Sequence, residues 1–375
     1  MQVVRDRDEV GRARVLLLDG EGEPVAPVCR FLAHLADADY SPHTAAAYGY
    51  DLRLLFEFCG EQGLDWREFR PTTALAFLGF LRRRPSRRPA QRLGLAVVAP
   101  GGRLLAPATV ARALAATSSF YDWAISAEEF TDAENPLQRR PDLALARTSD
   151  RHRPATGRAS RQAPIRRTVR VRLPQRLPRP LADGDVALLL ADLSRLRDLA
   201  LYLLMLDGGL RPGEALSLHL ADVAYGRRRV VVRKRDDHPG GVRQKSRRER
   251  VVDLHDPRTL DAVSRYVLHE RPADASSPFV FLVGGGGQRA EQPLGYPALV
   301  RGFARRCDRL GIRAPDVTPH ALRHTHATAM WEGGMRELAL QARLGHASPK
   351  STAAYTRVSD ERVLAEYVAA LQGRP

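Results

Sequence analysis

Apolar residues recur every three to four positions over most of this chain and alternate with polar ones only in short stretches. The first pattern marks amphipathic helices and the second marks half-buried strands. In the N-terminal part, Pro24–Ala36 carries apolar residues at helical spacing. Ser41-Pro42 reads as a helix cap followed by proline at the first helical position, opening Thr44–Cys59 with Tyr48, Leu52, Leu55 and Phe56 along one face. Thr72–Leu81 and Thr109–Ala124 complete a four-helix pattern. The aromatics Phe120, Tyr121 and Trp123 on the last helix read as packing rather than as base-stacking platforms.

From Pro180 onward the pattern changes order. Asp185–Leu206 reads as one helix and Pro212–Leu218 as the start of another. Arg227–Val232 and Arg250–Leu254 read as strands of a hairpin, Phe279–Val283 as a further short strand ended by four glycines. Helices are predicted at Tyr296–Leu310, Pro319–Glu332, Arg336–Arg343 and Pro349–Tyr355, with a last one near Asp360–Leu371. The fold class is therefore mainly α with a small antiparallel sheet, and no internal repeat is visible.

Composition divides the chain. Arg139–Arg179 holds thirteen arginines, two acidic residues and several prolines, with few large apolar groups. Such a segment cannot bury enough surface to fold alone and reads as a solvated linker. A linker this basic can also track a phosphate backbone. The expected organisation is a loose leader over 1–22, a helical domain over 23–140, the arginine-rich linker over 141–178 and a second domain over 179–375.

The formal net charge of +16 points to a polyanionic partner, with nucleic acid ahead of an acidic membrane surface. Almost every cation is arginine, and the lysines are Lys234, Lys245 and Lys350. A lysine is thus a rare choice here, and unlike arginine it can give up its proton. Cys29, Cys59 and Cys307 lie far apart, which argues against a disulfide framework or a zinc site. The N-terminus is charged, and the apolar stretch Leu199–Leu206 is too short to span a bilayer. The sequence predicts a soluble, cytoplasmic, nucleoid-associated protein.

Several motifs could carry chemistry, and each has a bland alternative. Arg211-Pro212-Gly213-Glu214 places an arginine at a helix start, where it could meet an anion or merely pair with Glu214. In Thr318-Pro319-His320-Ala321-Leu322-Arg323 the threonine is expected to cap the helix, and His320 and Arg323 share a face. His324 and His326 follow; a metal cluster lacks a third ligand, and surface histidines are the better reading. Leu344-Gly345-His346 ends a short helix nine residues before Tyr355, and Lys245 stands just before the second hairpin strand.

Taken together, Arg211 in LRPGE, Lys245 in KSRRERVV, His320 and Arg323 in HALRH, His346 in LGH and Tyr355 in TAAYT resemble the tyrosine recombinase (phage integrase) family over about Pro180–Pro375. The helical bundle resembles that family's core-binding domain by pattern alone. The long hairpin loop Arg235–Gln244 leaves Lys234 as a rival to Lys245, although the run Glu249-Arg250-Val251-Val252 favours Lys245. That loop and the long linker look more like the transposon-borne branch than a chromosome-resolving enzyme.

The resemblance implies a catalytic set of Arg211, Lys245, His320, Arg323, His346 and the nucleophile Tyr355, with Glu214 orienting Arg211 or His320. It implies no metal and no cofactor. It also implies double-stranded DNA as partner, a homotetramer on two duplexes, accessory DNA-bending proteins or a partner recombinase, and a C-terminal helix at Glu361–Leu371 lent to a neighbour. The expected reaction is site-specific recombination through a 3′-phosphotyrosyl link, serving integration, excision or transposition. Two other readings remain at this stage. One is DNA relaxation of the type IB topoisomerase kind. The other is a non-catalytic DNA-binding protein, for which Arg336–Tyr355 offers a helix-turn-helix pattern.

Overall fold

The computed structural model describes residues 1–7, 13–86, 104–130, 134–137, 139–141, 165–167, 180–235, 237–242 and 249–346, together with Val169, Val171, Leu173 and Thr352. The chain divides into two compact units, Met1–Gln175 and Arg176–Pro375.

The first unit opens on a hairpin where the sequence reading expects a loose leader. Strand β1 (Gln2–Arg7) pairs antiparallel with β2 (Ala13–Leu18), with Val3 opposite Leu17. The alternation that matters is short: Val3, Val15 and Leu17 turn inward and are buried. Val3 and Val15 come within 3.4 and 3.5 Å of where a side chain on Gly49 would begin, so the small residue lets the hairpin settle on a helix.

Among the described residues, four α-helices form the body of this unit: α1 (Ala26–Asp37), α2 (Pro42–Gln62), α3 (Pro71–Arg83) and α4 (Pro107–Ser126). Ser41 caps α2 as expected, its hydroxyl accepting from the Thr44 amide at 3.1 Å. The aromatics are core: Phe31, Phe69, Phe77, Phe120 and Tyr121 are fully buried, and the Tyr121 hydroxyl donates to the Trp66 carbonyl at 2.7 Å. The buried Asp51 on α2 is held by Arg112 on α4 at 2.7 Å. The edges of the arginine-rich segment are ordered rather than wholly solvated. Strand β3 (Arg139–Pro141) pairs with β4 (Ile165–Arg167), and Val169 buries in the same core.

In the second unit, the segment read as one helix is two, α5 (Asp183–Ala191) and α6 (Leu196–Leu206). Asp192 marks the break, its carboxylate held by Arg306 at 3.1 Å and by Arg309. Helix α6 is the spine of the core, with Ala200–Leu206 all buried. A five-residue helix α7 (Pro212–Leu216) follows, and then a three-stranded antiparallel sheet of β5 (Val223–Ala224), β6 (Arg229–Val232) and β7 (Arg250–Asp253) in that order. Its register sets Val230 opposite Val252 and Val232 opposite Arg250. Val230, Val232 and Val252 face the core, and period two puts Arg250 on the same face of β7 as Val252.

Phe279–Val283 does not join this sheet. Val280 donates to Leu218 and Val283 to Gln292, and Arg271 and Arg197 donate to the carbonyls of Phe279 and Leu282. With its polar groups divided among so many partners, the segment makes isolated bridges instead of a strand. Among the described residues, helices α8 (Pro257–His269), α9 (Tyr296–Arg309), α10 (Pro319–Glu332) and α11 (Glu337–Leu344) follow, α10 within the predicted bounds. None of the described helices is long and apolar enough to cross a membrane.

Candidate active site

The site is built where α7, α10, β7 and the end of α11 converge. Pro212 begins α7, Arg211 is its N-cap, and the fully buried Glu214 reaches back to accept from the Arg211 amide at 2.8 Å and from its guanidinium at 2.7 Å. Glu214 was expected to orient Arg211 or His320; it does far more. Arg250 forks its two oxygens at 3.0 and 2.7 Å, and a nitrogen of Arg323 lies 3.6 Å away. Burial pushes the Glu214 carboxyl up, but the hydrogen bonds and charge of Arg250, then Arg323 and Arg211, outweigh it and bring it to about 2.

Arg323 is itself buried. It donates to the Gly209 carbonyl and to the Leu344 carbonyl, each at 2.6 Å, and lies 3.0 Å from His346 Nε2. Arg211 makes only long contacts, 3.4–3.5 Å, to the Leu344 and Gly345 carbonyls, and Arg250 donates through Nε to the Arg343 carbonyl at 2.9 Å. The last carbonyls of a helix have no partner within it and form its negative end. Here three guanidiniums serve that end of α11, and so fix the turn that carries His346. Gly345 makes the turn in the left-handed conformation at φ 62°.

The hydrogen bonds of His346 define its tautomer. Arginine can only donate, so Nε2 accepts from Arg323 and Nδ1 carries the proton toward Thr352 Oγ1 at 2.9 Å. Burial, then the charges of Arg323, Arg211 and Arg250, lower its pKa to about 4, so the ring is neutral at pH 7. His320 sits half-buried one turn before Arg323, its ring centre 6.4 Å from that of His324.

Two expectations on α10 are corrected. Thr318 precedes the helix but its hydroxyl does not cap it. His326 is no surface residue: it is buried, donates from Nδ1 to the Leu206 carbonyl at 2.7 Å and accepts at Nε2 from Arg343 at 3.0 Å. Burial first, then Arg343, holds it near pKa 4. His324 is half-buried, and burial, then the charges of His320 and Arg323, lower it to about 4 as well. Gly209 must be glycine, since its φ is 63° and a Cβ would stand 2.5 Å from the His326 ring.

Thus Arg211, Arg323, His346 and Glu214 are brought together. Lys245, Tyr355 and the second half of the helix-turn-helix pattern lie outside the described residues, as does the C-terminal segment Glu361–Leu371. Lys234 is exposed in the loop that follows β6. Reading the sequence missed Arg250 and the Arg343–His326 pair. The inward alternation of β7 was the available signal for Arg250.

Residues 181–362 match the phage integrase family, and residues 28–128 match the N-terminal SAM-like domain of phage integrases. A tyrosine recombinase XerC from a Mycobacterium species is 30% identical over 332 residues, covering 87% of this chain and 91% of the relative. The chain belongs to the phage integrase family of tyrosine recombinases. Transposase A of transposon Tn554 from Staphylococcus aureus is 28% identical to this recombinase over 353 residues, 94% of this chain and 92% of the transposase. In fold it resembles the Tn1549 transposon integrase in complex with a circular-intermediate DNA. The TM-score is 0.60 at 18% identity, over 91% of this chain and 99% of the other. It also resembles the XerH recombinase bound to its difH substrate (TM-score 0.58, 15% identity, 88% and 80% covered).

Proposed function

We propose that this recombinase binds double-stranded DNA and performs site-specific strand exchange for integration, excision or transposition, with Tyr355 as nucleophile. The observation that carries the reading is the pair of guanidiniums, Arg211 and Arg323, brought beside one histidine by a buried carboxylate. A phosphodiester carries one negative charge and gains another in the pentacoordinate transition state. Two forked cations held in a partly desolvated site stabilise that gain. The long contacts of Arg211 are the ones a phosphate oxygen would replace.

In the proposed step the Tyr355 oxygen attacks phosphorus and its proton passes to His320. The P–O5′ bond breaks, and the leaving oxygen takes a proton from Lys245, which arginine could not supply. The 3′-phosphotyrosyl bond keeps the energy of the broken diester, so a free 5′ hydroxyl can reverse the step on a new strand. Once Arg323 turns from Nε2 to the phosphate, His346 would take the other tautomer and donate from Nε2 to a nonbridging oxygen. Thr352 makes this possible, because its hydroxyl can donate to Nδ1 as readily as accept from it. The expected segments over 23–140 and 179–375 take the roles of core-binding and catalytic domains. Further parts of the proposal are a homotetramer on two duplexes, a C-terminal segment lent between protomers, and accessory or partner proteins. The likeness to Tn554 transposase A supports service to a mobile element.

The test uses nicked DNA carrying candidate element ends, without Mg²⁺. The expected result is an SDS-resistant protein–DNA adduct and, with two such ends, recombinant strands. On supercoiled plasmid carrying the same ends, relaxation with no exchanged strands would instead identify a topoisomerase. Tight binding to cleavable sites with no adduct would leave a binding protein.

A further inference from the structure

Arg250 is the cation of this site that sequence reading passes over. Its side chain is 8% exposed and that of Glu214 is 0% exposed. All three guanidinium nitrogens are directed: Nη1 and Nη2 to the two oxygens of Glu214 at 3.0 and 2.7 Å, Nε to the Arg343 carbonyl at 2.9 Å. The register of β7, with Arg250 opposite Val232, aims the side chain inward. Gly345 makes room for it, since a Cβ there would stand 2.7 Å from Arg250 Nη1. Space, register and hydrogen bonds all favour one guanidinium in one orientation.

We propose that Arg250 is a positioning residue for the phosphate clamp, its fork locking the Glu214 carboxylate that in turn aligns Arg211 and Arg323. Glu214 has a carboxyl group that can rotate, and each of its oxygens serves two cations. Oε1 takes Arg211 and Arg250; Oε2 takes the Arg211 amide, Arg250 and, at 3.6 Å, Arg323. A two-point fork is what fixes that rotation, and only arginine supplies it while also reaching a carbonyl. Arg250 is spent on this task, so it supports the clamp rather than touching DNA. Its bond to the Arg343 carbonyl ties the same lock to the end of α11, which carries His346.

This proposal rests on reading Arg211 and Arg323 as the phosphate ligands. The test compares wild type with Arg250→Lys, which keeps the charge and loses the fork. The readouts are melting temperature, DNA affinity, and single-turnover adduct formation on saturating nicked substrate. The expected result is a folded protein with DNA affinity within about threefold of wild type and adduct formation slowed about 10–100-fold.

The same rates are then measured on DNA with a methylphosphonate at the scissile position. That substrate carries one negative charge fewer, so it asks less of the clamp, and the deficit of Arg250→Lys is expected to shrink to about threefold or less. A merely structural role would slow both substrates alike. An equal deficit on both, or a wild-type rate on the natural diester, overturns the proposal. So does recovery on a substrate with a 5′-bridging sulfur, which needs no proton donor and would place the defect at Lys245.

Should Arg250→Lys not fold, Glu214→Gln with and without Arg250→Met decides the matter, because with an amide at 214 the loss of Arg250 strands no buried carboxylate. If Arg250 acts through Glu214, removing it from that background costs nothing further. Additive losses contradict it. A wild type that forms no adduct refutes the underlying reading instead, and is seen before any variant is compared.

Discussion

At the scale of single residues, the centre of the site is a carboxylate rather than a cation. Glu214 faces three guanidiniums, and that surplus of positive charge is what a phosphate would complete. Glu214→Gln keeps the shape and removes the charge. Removing one member of a buried pair strands the other, so cleavage on saturating DNA is expected to fall by about 100-fold, or roughly 3 kcal/mol. Single-turnover adduct formation measures it.

The sign of the pH dependence follows from the same residue. Its folded pKa of about 2 lies below the ordinary value of 4.5. The stability it contributes is therefore present above pH ~4.5 and lost as pH falls toward 2. Denaturant titration across that window is expected to show wild type converging on Glu214→Gln as the carboxylate is protonated.

Arg211, Arg323 and His346, which the structure brings together, were legible only as a set, through the family resemblance, because each motif alone has a bland reading. Arg250 was not. The alternation of Arg250-Val251-Val252-Asp253 was the one local signal, and it does not say which of its two faces is the inner one until β7 is paired with β6. His326 was misread for a related reason. Its partners, the Leu206 carbonyl and Arg343, are distant in sequence, so its burial leaves no trace in its neighbours.

At the scale of elements, most helices could be read from periodicity and caps, and the failures are instructive. Asp185–Leu206 breaks because two arginines of α9 take Asp192. Phe279–Val283 fails as a strand because buried arginines take its carbonyls. The β1–β2 hairpin was missed because Asp6, Arg7 and Arg14 mask three inward positions. It is structural, and Leu17→Ala is expected to destabilise the protein by about 2–5 kcal/mol in denaturant unfolding. A loose leader would cost nothing. At the end of α11, Gly345→Ala meets both a left-handed φ and Arg250 at 2.7 Å. It is expected to cost about 1–2 kcal/mol from the backbone alone and to slow cleavage through Arg250. Melting and adduct formation separate the two effects.

For the whole molecule, charge sets the conditions under which the chemistry can be seen. With a net charge of +16, DNA affinity should fall steeply with salt, by tenfold or more between about 50 and 200 mM. Neutralising the arginines of 147–161 should flatten that slope and leave cleavage on saturating DNA unchanged. Acid acts on the fold through the buried histidine of α10. His326 is held neutral with its pKa near 4, below the unfolded value of 6.5. Its contribution is complete above pH ~6.5 and is lost by about 3 kcal/mol as pH falls toward 4. His326→Phe should remove that part of the acid sensitivity.

The central claim is that Tyr355 joins itself to DNA. The most direct measurement is to trap the adduct on nicked element-end DNA, digest both components, and sequence the peptide that keeps a nucleotide. The account predicts one modified peptide, with the nucleotide on Tyr355 through a 3′ phosphate, and no adduct from Tyr355→Phe. A nucleotide on any other residue, or an adduct that survives in Tyr355→Phe, would contradict it.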